Sequence, residues 1–182
     1  MQHVWHFNAE NSLRKQQPRY LDSMSPDKAQ VIAAIVTKLR ESLDAVERIA
    51  QMARDETTGG ESKAEGKYDT RSTEASYLAR GQAWRVAELR QLFAWFSNLD
   101  TQNPPTASRA QNGALVQLEG EQRETLFLAP AGGTQVVVGG QTIRVISPKS
   151  PLGEAMADAE TGDVFEVNTP RGPLTYEVVS IQ

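Results

Sequence analysis

The feature that decides the fold is a long helical pattern near the start of the chain. Residues 26–54 read PDKAQVIAAIVTKLRESLDAVERIAQMAR, with no glycine and no proline after Pro26. Ser25, Pro26 and Asp27 follow the order of a cap, a first-turn proline and a first-turn acid. Apolar or small side chains then recur at alternating steps of three and four, at Ile32, Ile35, Leu39, Ser42, Val46, Ile49 and Ala53. This spacing predicts a helix with a coiled-coil seam along one edge.

A second apolar run from about Thr73 to Leu99 repeats this pattern. Its apolar positions include Ala75, Leu78, Ala79, Val86, Leu89, Phe93 and Phe96. One loop joins the two runs, so together they predict an antiparallel helical hairpin. The joining loop is longer than the usual two to eight residues. It is also acidic, since residues 55–74 contain six acids and three bases, a local net charge of −3.

The period of the apolar pattern changes to two after a proline-containing linker. Short runs of alternating hydrophobicity predict strands at 114–118, 125–128, 135–138, 142–146, 164–167 and 174–179. A short helix is expected to begin at Pro151, with Ser150 as its cap. We therefore predict an α+β protein, in which an N-terminal antiparallel coiled-coil hairpin precedes a small β-rich domain with one short helix. The predicted divisions are an extension outside the fold (1–23), the hairpin (24–100, tip near 55–73), a linker (101–110) and the C-terminal domain (111–182).

Composition excludes several classes of protein. The chain has 182 residues, no cysteine and two histidines, His3 and His6, both near its start. Disulfide frameworks, thiolate metal sites and histidine-based hydrolases are therefore excluded from the body of the chain. No apolar run is long enough to cross a membrane and no secretory signal is present, so a cytoplasmic location is expected. The net charge of −4 argues against direct attraction to nucleic acid.

The acidic loop is the main candidate for chemistry. A charged loop at the end of two helices is ordinarily a solvated surface. Carboxylates at the end of a long hairpin are, however, also well placed to reach into another macromolecule. Mg²⁺ prefers oxygen ligands and often takes only one or two from a protein. The loop could thus complete a metal site elsewhere without being an enzyme on its own.

Several stretches in this order resemble the bacterial GreA/GreB family of transcription elongation factors. They are Glu74–Arg80 (EASYLAR), Ser150–Gly153 (SPLG), Thr161–Val167 (TGDVFEV) and Leu174–Val179 (LTYEVV), within a likeness that covers 25–182. The resemblance implies an FKBP-like C-terminal domain that binds RNA polymerase, with Ser150 and Pro151 in the contacting loop. It also implies a monomer that meets nucleic acid only through the elongation complex and has no contact with membranes.

The same resemblance implies a mechanism. Family members insert the hairpin into the secondary channel of RNA polymerase and stimulate the polymerase's own cleavage of backtracked RNA. Two tip acids help to hold a Mg²⁺ ion shared with the polymerase active site. Carried over to this chain, these catalytic and metal-binding acids are Asp69 and Glu74. The chain is not expected to be an enzyme alone or to bind the metal alone.

The tip departs from the family pattern. The usual motif, D-L/I-x-E-N-x-E-Y, places its first two acids three residues apart, whereas Asp69 and Glu74 are five apart. If Tyr77 aligns with the family tyrosine, Thr70 and Thr73 occupy the acid positions. Two functions therefore remain open: a cleavage-stimulating factor, or a regulator that occupies the secondary channel without stimulating cleavage and competes with Gre factors.

A prolyl isomerase or chaperone is a third, less favoured interpretation. Isomerases of the FKBP type line a deep pocket with aromatic side chains. The C-terminal domain contains only Phe127, Phe165 and Tyr176. These three fit a small core better than they fit a pocket.

Overall fold

The computed structural model describes residues 25–59, 70–104 and 106–182. The predicted extension (1–23) and most of the loop between the two helical runs lie outside these residues. Helix α1 spans Lys28–Gly59 and helix α2 spans Thr70–Ser97. In the described ranges, no helix is long and apolar enough to cross a membrane.

The two helices run antiparallel. Arg90 of α2 lies 2.7 Å from the Glu47 carboxylate of α1. Nearer the other end, the Arg40 guanidinium lies 5.5 Å from the centre of the Phe93 ring. A later position on α1 thus pairs with an earlier position on α2, which is the arrangement that a hairpin requires.

The predicted seam is buried at the base of the hairpin and opens further out. Ile32, Ile35 and Leu39 are fully buried, whereas Ile49 is 59% exposed. On α2, Phe96 is fully buried and Leu92 nearly so. The base is therefore packed against something besides its partner helix.

A six-stranded sheet covers that base. Its strands are β1 (Leu115–Glu119), β2 (Glu124–Leu128), β3 (Thr134–Val138), β4 (Gln141–Ile146), β5 (Val164–Thr169) and β6 (Gly172–Ile181). Their order across the sheet is β3-β4-β2-β1-β6-β5. All neighbours are antiparallel except β2 and β4, which are parallel. With the short helix α3 (Pro151–Ala155), this confirms the predicted α+β class.

The sheet has an apolar core on each face, because successive side chains of a strand point to opposite sides. Leu115 and Phe127 face the hairpin and belong to a core that includes Ile35 and Phe96. Val116, Leu126 and their neighbours form the second core, which contains Met156, the residue after α3. The hairpin base and the C-terminal domain consequently share one continuous core.

Candidate partner-binding surfaces

Residues 147–153, the docking loop, contain both residues that the sequence predicts to contact a partner. The Ser150 hydroxyl donates to the Ser147 carbonyl (2.7 Å) and accepts from the Gly153 amide (3.1 Å). It therefore caps α3 in the predicted way. Both hydrogen-bonding functions of this half-buried hydroxyl are used inside the loop, so its direct role is to hold the loop's shape.

Pro151 is the more accessible of the two predicted residues. It occupies the first turn of α3 and is exposed, as is Lys149. Gly153 packs so closely that an added Cβ would overlap the Ser147 carbonyl oxygen and lie 2.9 Å from the Cα of Pro148. The Ser150 cap and the close backbone contact at Gly153 thus constrain the backbone on both sides of the exposed Pro151.

A groove of about 280 Å³ lies beside the docking loop. One wall is α2, with Glu88 and Leu92, and the other comprises Pro130, Gly132 and Ser147. An added Cβ at Gly132 would lie 2.9 Å from the Val145 carbonyl oxygen, which explains why a glycine is needed there. Sequence reasoning missed this groove, because its walls come from segments far apart in the chain.

The outer part of the hairpin forms a projecting arm. In the described residues, Leu43 is the last buried side chain of α1 and Leu89 the first of α2. The sixteen residues of α1 from Asp44 to Gly59 extend beyond Leu43, a length of about 24 Å at 1.5 Å per residue. We call residues 44–59 and 70–88 the arm.

Of the two predicted tip acids, the structure describes the backbone of Glu74 alone. Asp69 lies outside the described residues. Glu74 lies in the first turns of α2, and its side chain is also outside the described part. Among the residues that the structure describes, no three histidine, cysteine or acidic side chains come together as a metal site. The role of Asp69 and Glu74 as catalytic and metal-binding acids therefore stays a prediction.

A buried polar junction connects the hairpin base to the sheet, and the sequence analysis missed it. The Ser25 hydroxyl donates to the Gln117 side-chain oxygen (2.9 Å), and the Lys28 ammonium donates to the Gln182 carbonyl (2.7 Å). Ser180 donates to the same Gln117 oxygen (3.0 Å). We call these five residues the polar junction.

Burial sets the electrostatics of this junction. Lys28 is only 4% exposed, and burial lowers its pKa from 10.5 to about 8, because the charged form loses solvation. The sequence did contain a signal, since Lys28 precedes Ile32 by four residues and Ile35 by seven. A lysine in phase with an apolar seam points to burial.

A family model matches the part of the chain that carries the docking loop and the whole sheet. Residues 109–182 match the model described as "Transcription elongation factor, GreA/GreB, C-term". The GreA of Sinorhizobium medicae (strain WSM419) is 33% identical over 102 residues, 54% of this chain and 60% of that protein. The GreA of Mesorhizobium japonicum is 34% identical over 113 residues, 60% of this chain and 66% of that protein.

Similar solved structures carry names from the same family. "GreA factor homolog 1 (Gfh1) protein of Thermus thermophilus" is 20% identical, with 85% of this chain and 94% of that chain covered and a TM-score of 0.32. A GreA/GreB elongation factor from Nitrosomonas europaea is 22% identical, with 52% and 78% covered and a TM-score of 0.32. The chain spans about three fifths of the length of the first GreA relatives it matches. By its C-terminal domain and its GreA relatives, the chain is similar to the GreA/GreB family.

Proposed function

We propose that this chain is a transcription elongation factor that binds RNA polymerase, inserts its arm into the secondary channel and stimulates cleavage of backtracked RNA. The observation that carries the proposal is a projecting two-helix arm attached to a C-terminal domain of the GreA/GreB family. The docking loop then contacts the polymerase, with Pro151 on its exposed side. Cleavage itself belongs to the polymerase.

The surface of the arm supports a role in contact. Three large apolar side chains are exposed there: Ile49 (59%), Met52 (63%) and Trp84 (71%). A single exposed apolar residue is ordinary, but three on one short arm suit a surface that meets a partner. The arm's length of about 24 Å beyond the packed base places the tip away from the C-terminal domain.

Asp69 and Glu74 are the residues that would hold the metal. Their carboxylate oxygens are the donors that Mg²⁺ prefers, so the donor set fits the ion. When bound in a two-metal site, the ion activates the attacking water or stabilises the leaving oxygen. The chain's own contribution is to bring negative charge to the ion and to orient those oxygens.

The tip spacing favours one alternative function, a regulator that occupies the secondary channel without stimulating cleavage. Helix α2 begins at Thr70, so the position of Glu74 follows the helix. In a continuous helix, residues five apart are separated by about 140° around the axis. Asp69 and Glu74 would share one ion only if the chain before Thr70 departs from that helix.

A transcript-cleavage assay separates the two functions. Backtracked elongation complexes with Mg²⁺ are incubated with the intact chain, with Asp69→Ala/Glu74→Ala, and with Glu41→Ala/Asp44→Ala. The last pair is a matched control, because it removes two exposed acids of α1 near the base of the hairpin. We expect shortened RNA with the intact chain and the control, and none with the tip variant.

The outcomes are distinct when polymerase binding is measured in parallel. Binding without shortening by the intact chain favours the channel-occupying regulator. Shortening that survives the tip variant excludes Asp69 and Glu74 as the acting acids. An intact chain that does not bind polymerase contradicts both functions.

A further inference from the structure

The polar junction places a charge where the hairpin would otherwise be purely apolar. Lys28 is in phase with Ile32 and Ile35 on the edge of α1 that packs against the sheet. At 4% exposure this lysine gives up most of its contact with water, and its ammonium donates to the Gln182 carbonyl.

An irregularity in the sheet lies beside Gln117, the residue that accepts the Ser25 hydrogen bond. The β1–β6 register shifts between Gln117 and Leu118, so that β6 carries one extra residue, Val179. Such a bulge changes the aim of nearby side chains. The shift leaves Gln117 opposite Ser180, and the buried Gln117 oxygen accepts from both Ser25 and Ser180.

The acceptor of Lys28 is also fixed in place. The Gln182 carbonyl accepts from the Leu115 amide (3.0 Å), and the Gln182 amide donates to the Leu115 carbonyl (2.9 Å). Lys28 adds a third bond to this pair, at 2.7 Å. The start of α1 is thus tied to the sheet at two points, through Lys28, its first residue, and through Ser25, three residues before it.

We propose that Ser25 and Lys28 are positioning residues that fix the direction in which the hairpin leaves the C-terminal domain. Apolar contacts in the shared core are non-directional and tolerate small rotations. The two hydrogen bonds of the junction are directional, and a rotation that broke them would leave buried polar groups unsatisfied. The junction therefore selects one orientation among several that the core would accept.

A small change of direction at the junction is amplified along the arm. Met52 is 24 residues beyond Lys28 on α1, or about 36 Å along the helix axis. A tilt of roughly 10° at the base moves that position by about 6 Å. The consequence for cleavage rests on the proposed function, because only a tip that enters a channel needs this accuracy.

Pulsed electron paramagnetic resonance measures the direction without any polymerase. The chain has no cysteine, so Met52→Cys and Glu166→Cys place two spin labels at exposed positions on α1 and β5 and nowhere else. The distance distribution is compared for this background and for the same background with Ser25→Ala, Lys28→Met or both. Lys38→Met is the matched control, because Lys38 is an exposed lysine of the same helix.

We expect a narrow distribution in the background and in the control. Lys28→Met keeps the apolar stem, so it should fold at least as stably at pH 7 while its distribution shifts or broadens by several ångströms. Ser25→Ala should also shift or broaden the distance distribution, but by less. Unchanged distributions in both variants and in the double variant would overturn the proposal, since the core alone would then set the direction. A Lys28→Met variant that loses its fold would also overturn it, because the lysine would be stabilising.

Cleavage by the same variants tests the functional consequence. Lys28→Met should lower the cleavage rate at saturating factor without any loss of thermal stability, whereas Lys38→Met should leave the cleavage rate unchanged. If the intact chain fails to bind polymerase, the proposed function fails but the distance result stands. If cleavage is intact and the distances change, the junction sets a direction that cleavage does not require.

Discussion

Gly153 and Lys28 are two residues whose identity is constrained by their surroundings. Gly153 sits against the backbone of Ser147 and Pro148, where no side chain has room. Lys28 sits in a core, where its charge is poorly solvated but its ammonium is hydrogen-bonded. One constraint is steric and the other electrostatic, and each gives a separate prediction.

Gly153→Ala is expected to destabilise the C-terminal domain by about 1–3 kcal/mol, because the docking loop must shift to admit the methyl group. Chemical denaturation measures the change. Gly81→Ala is the control, because Gly81 lies in α2 with no atom within 4 Å of an added Cβ. That change should stabilise by about 0.5–1 kcal/mol. Equal effects of the two substitutions would contradict the close contact at Gly153.

The stability of the protein should depend on pH through Lys28. Its pKa is about 8 when folded and 10.5 when unfolded, so between these values the unfolded chain binds more protons. The free energy of unfolding should therefore rise as pH increases from 8 to 10.5, by about 2–3 kcal/mol, and stay level with respect to this group below pH 8.

Denaturation of the intact chain and of Lys28→Met across this pH range isolates the contribution. Burial and the hydrogen bond to Glu124 raise the pKa of Tyr176, which also titrates in alkali. Its effect is common to both proteins and cancels in the difference. A difference that does not change with pH would show that Lys28 stays solvated in the folded state.

At the scale of elements, strand register brings like charges together. Glu119 of β1 lies opposite Glu177 of β6, on a part of the sheet that the hairpin does not cover. Arg123 pairs with Glu119 at 2.7 Å. Glu177 has no such ion pair among the described residues.

Glu177→Lys should therefore stabilise the protein by about 0.5 kcal/mol, by replacing a repulsive cross-strand pair with an attractive one. The gain should fall as salt is raised. Asp44→Lys makes the same charge change on the exposed side of α1 and serves as the control. A salt-independent effect, or one equal to the control, would argue against the register.

The elements themselves were largely predictable, whereas some of their pairings were not. Period-two alternation predicted all six strands, and each predicted end lies within about two residues of the observed one. The parallel pairing of β2 with β4 has no such signal, because these strands are not consecutive in the sequence. The strand between them in the sequence, β3, lies at the edge of the sheet beyond β4. Similarly, the seam at Ile35 and Leu39 was visible, but no local pattern showed that the sheet would cover it.

At the scale of the whole molecule, the shared core couples the hairpin to the C-terminal domain. Phe96 of α2 contacts Phe127 of β2, with ring centres 5.1 Å apart, and Trp95 lies 6.4 Å from the same ring. A hairpin with a separate core would unfold separately. Here the base of the hairpin and the sheet should unfold in one transition.

Phe96→Ala should lower the free energy of unfolding of both parts together, by about 3–5 kcal/mol. Hydrogen exchange checks this, because the amides at the base of α1 and those of β1 and β2 should lose protection equally. Trp84→Ala is the control: Trp84 is 71% exposed on the arm and its loss should be nearly neutral. Loss of protection in the helices alone would mean that the two parts fold independently.

The candidate surfaces differ in how far the sequence could reveal them. Ser150 and Pro151 form a contiguous motif, so the helix cap and the proline that follows it could be predicted, whereas their contact with a partner stays a prediction. The groove and the polar junction assemble residues such as Ser25 and Gln117, which are adjacent only after folding. The tip acids Asp69 and Glu74 stay predictions, because their geometry depends on the chain between the helices.

The place of β6 in the sheet has a consequence for synthesis. β6 lies between β1 and β5 in the sheet. It is the last strand in the sequence, yet it pairs with β1, the first. On the ribosome, the hydrogen bonds between β1 and β6 and the bond from Lys28 to Gln182 must wait for residues 172–182. The hairpin base can be covered earlier, because the sheet residues of its core come from β1 to β4 and their loops. The second core, by contrast, lacks Tyr176 and Val178 until β6 is made. A nascent chain halted before β6 would therefore expose apolar surface and depend on chaperones.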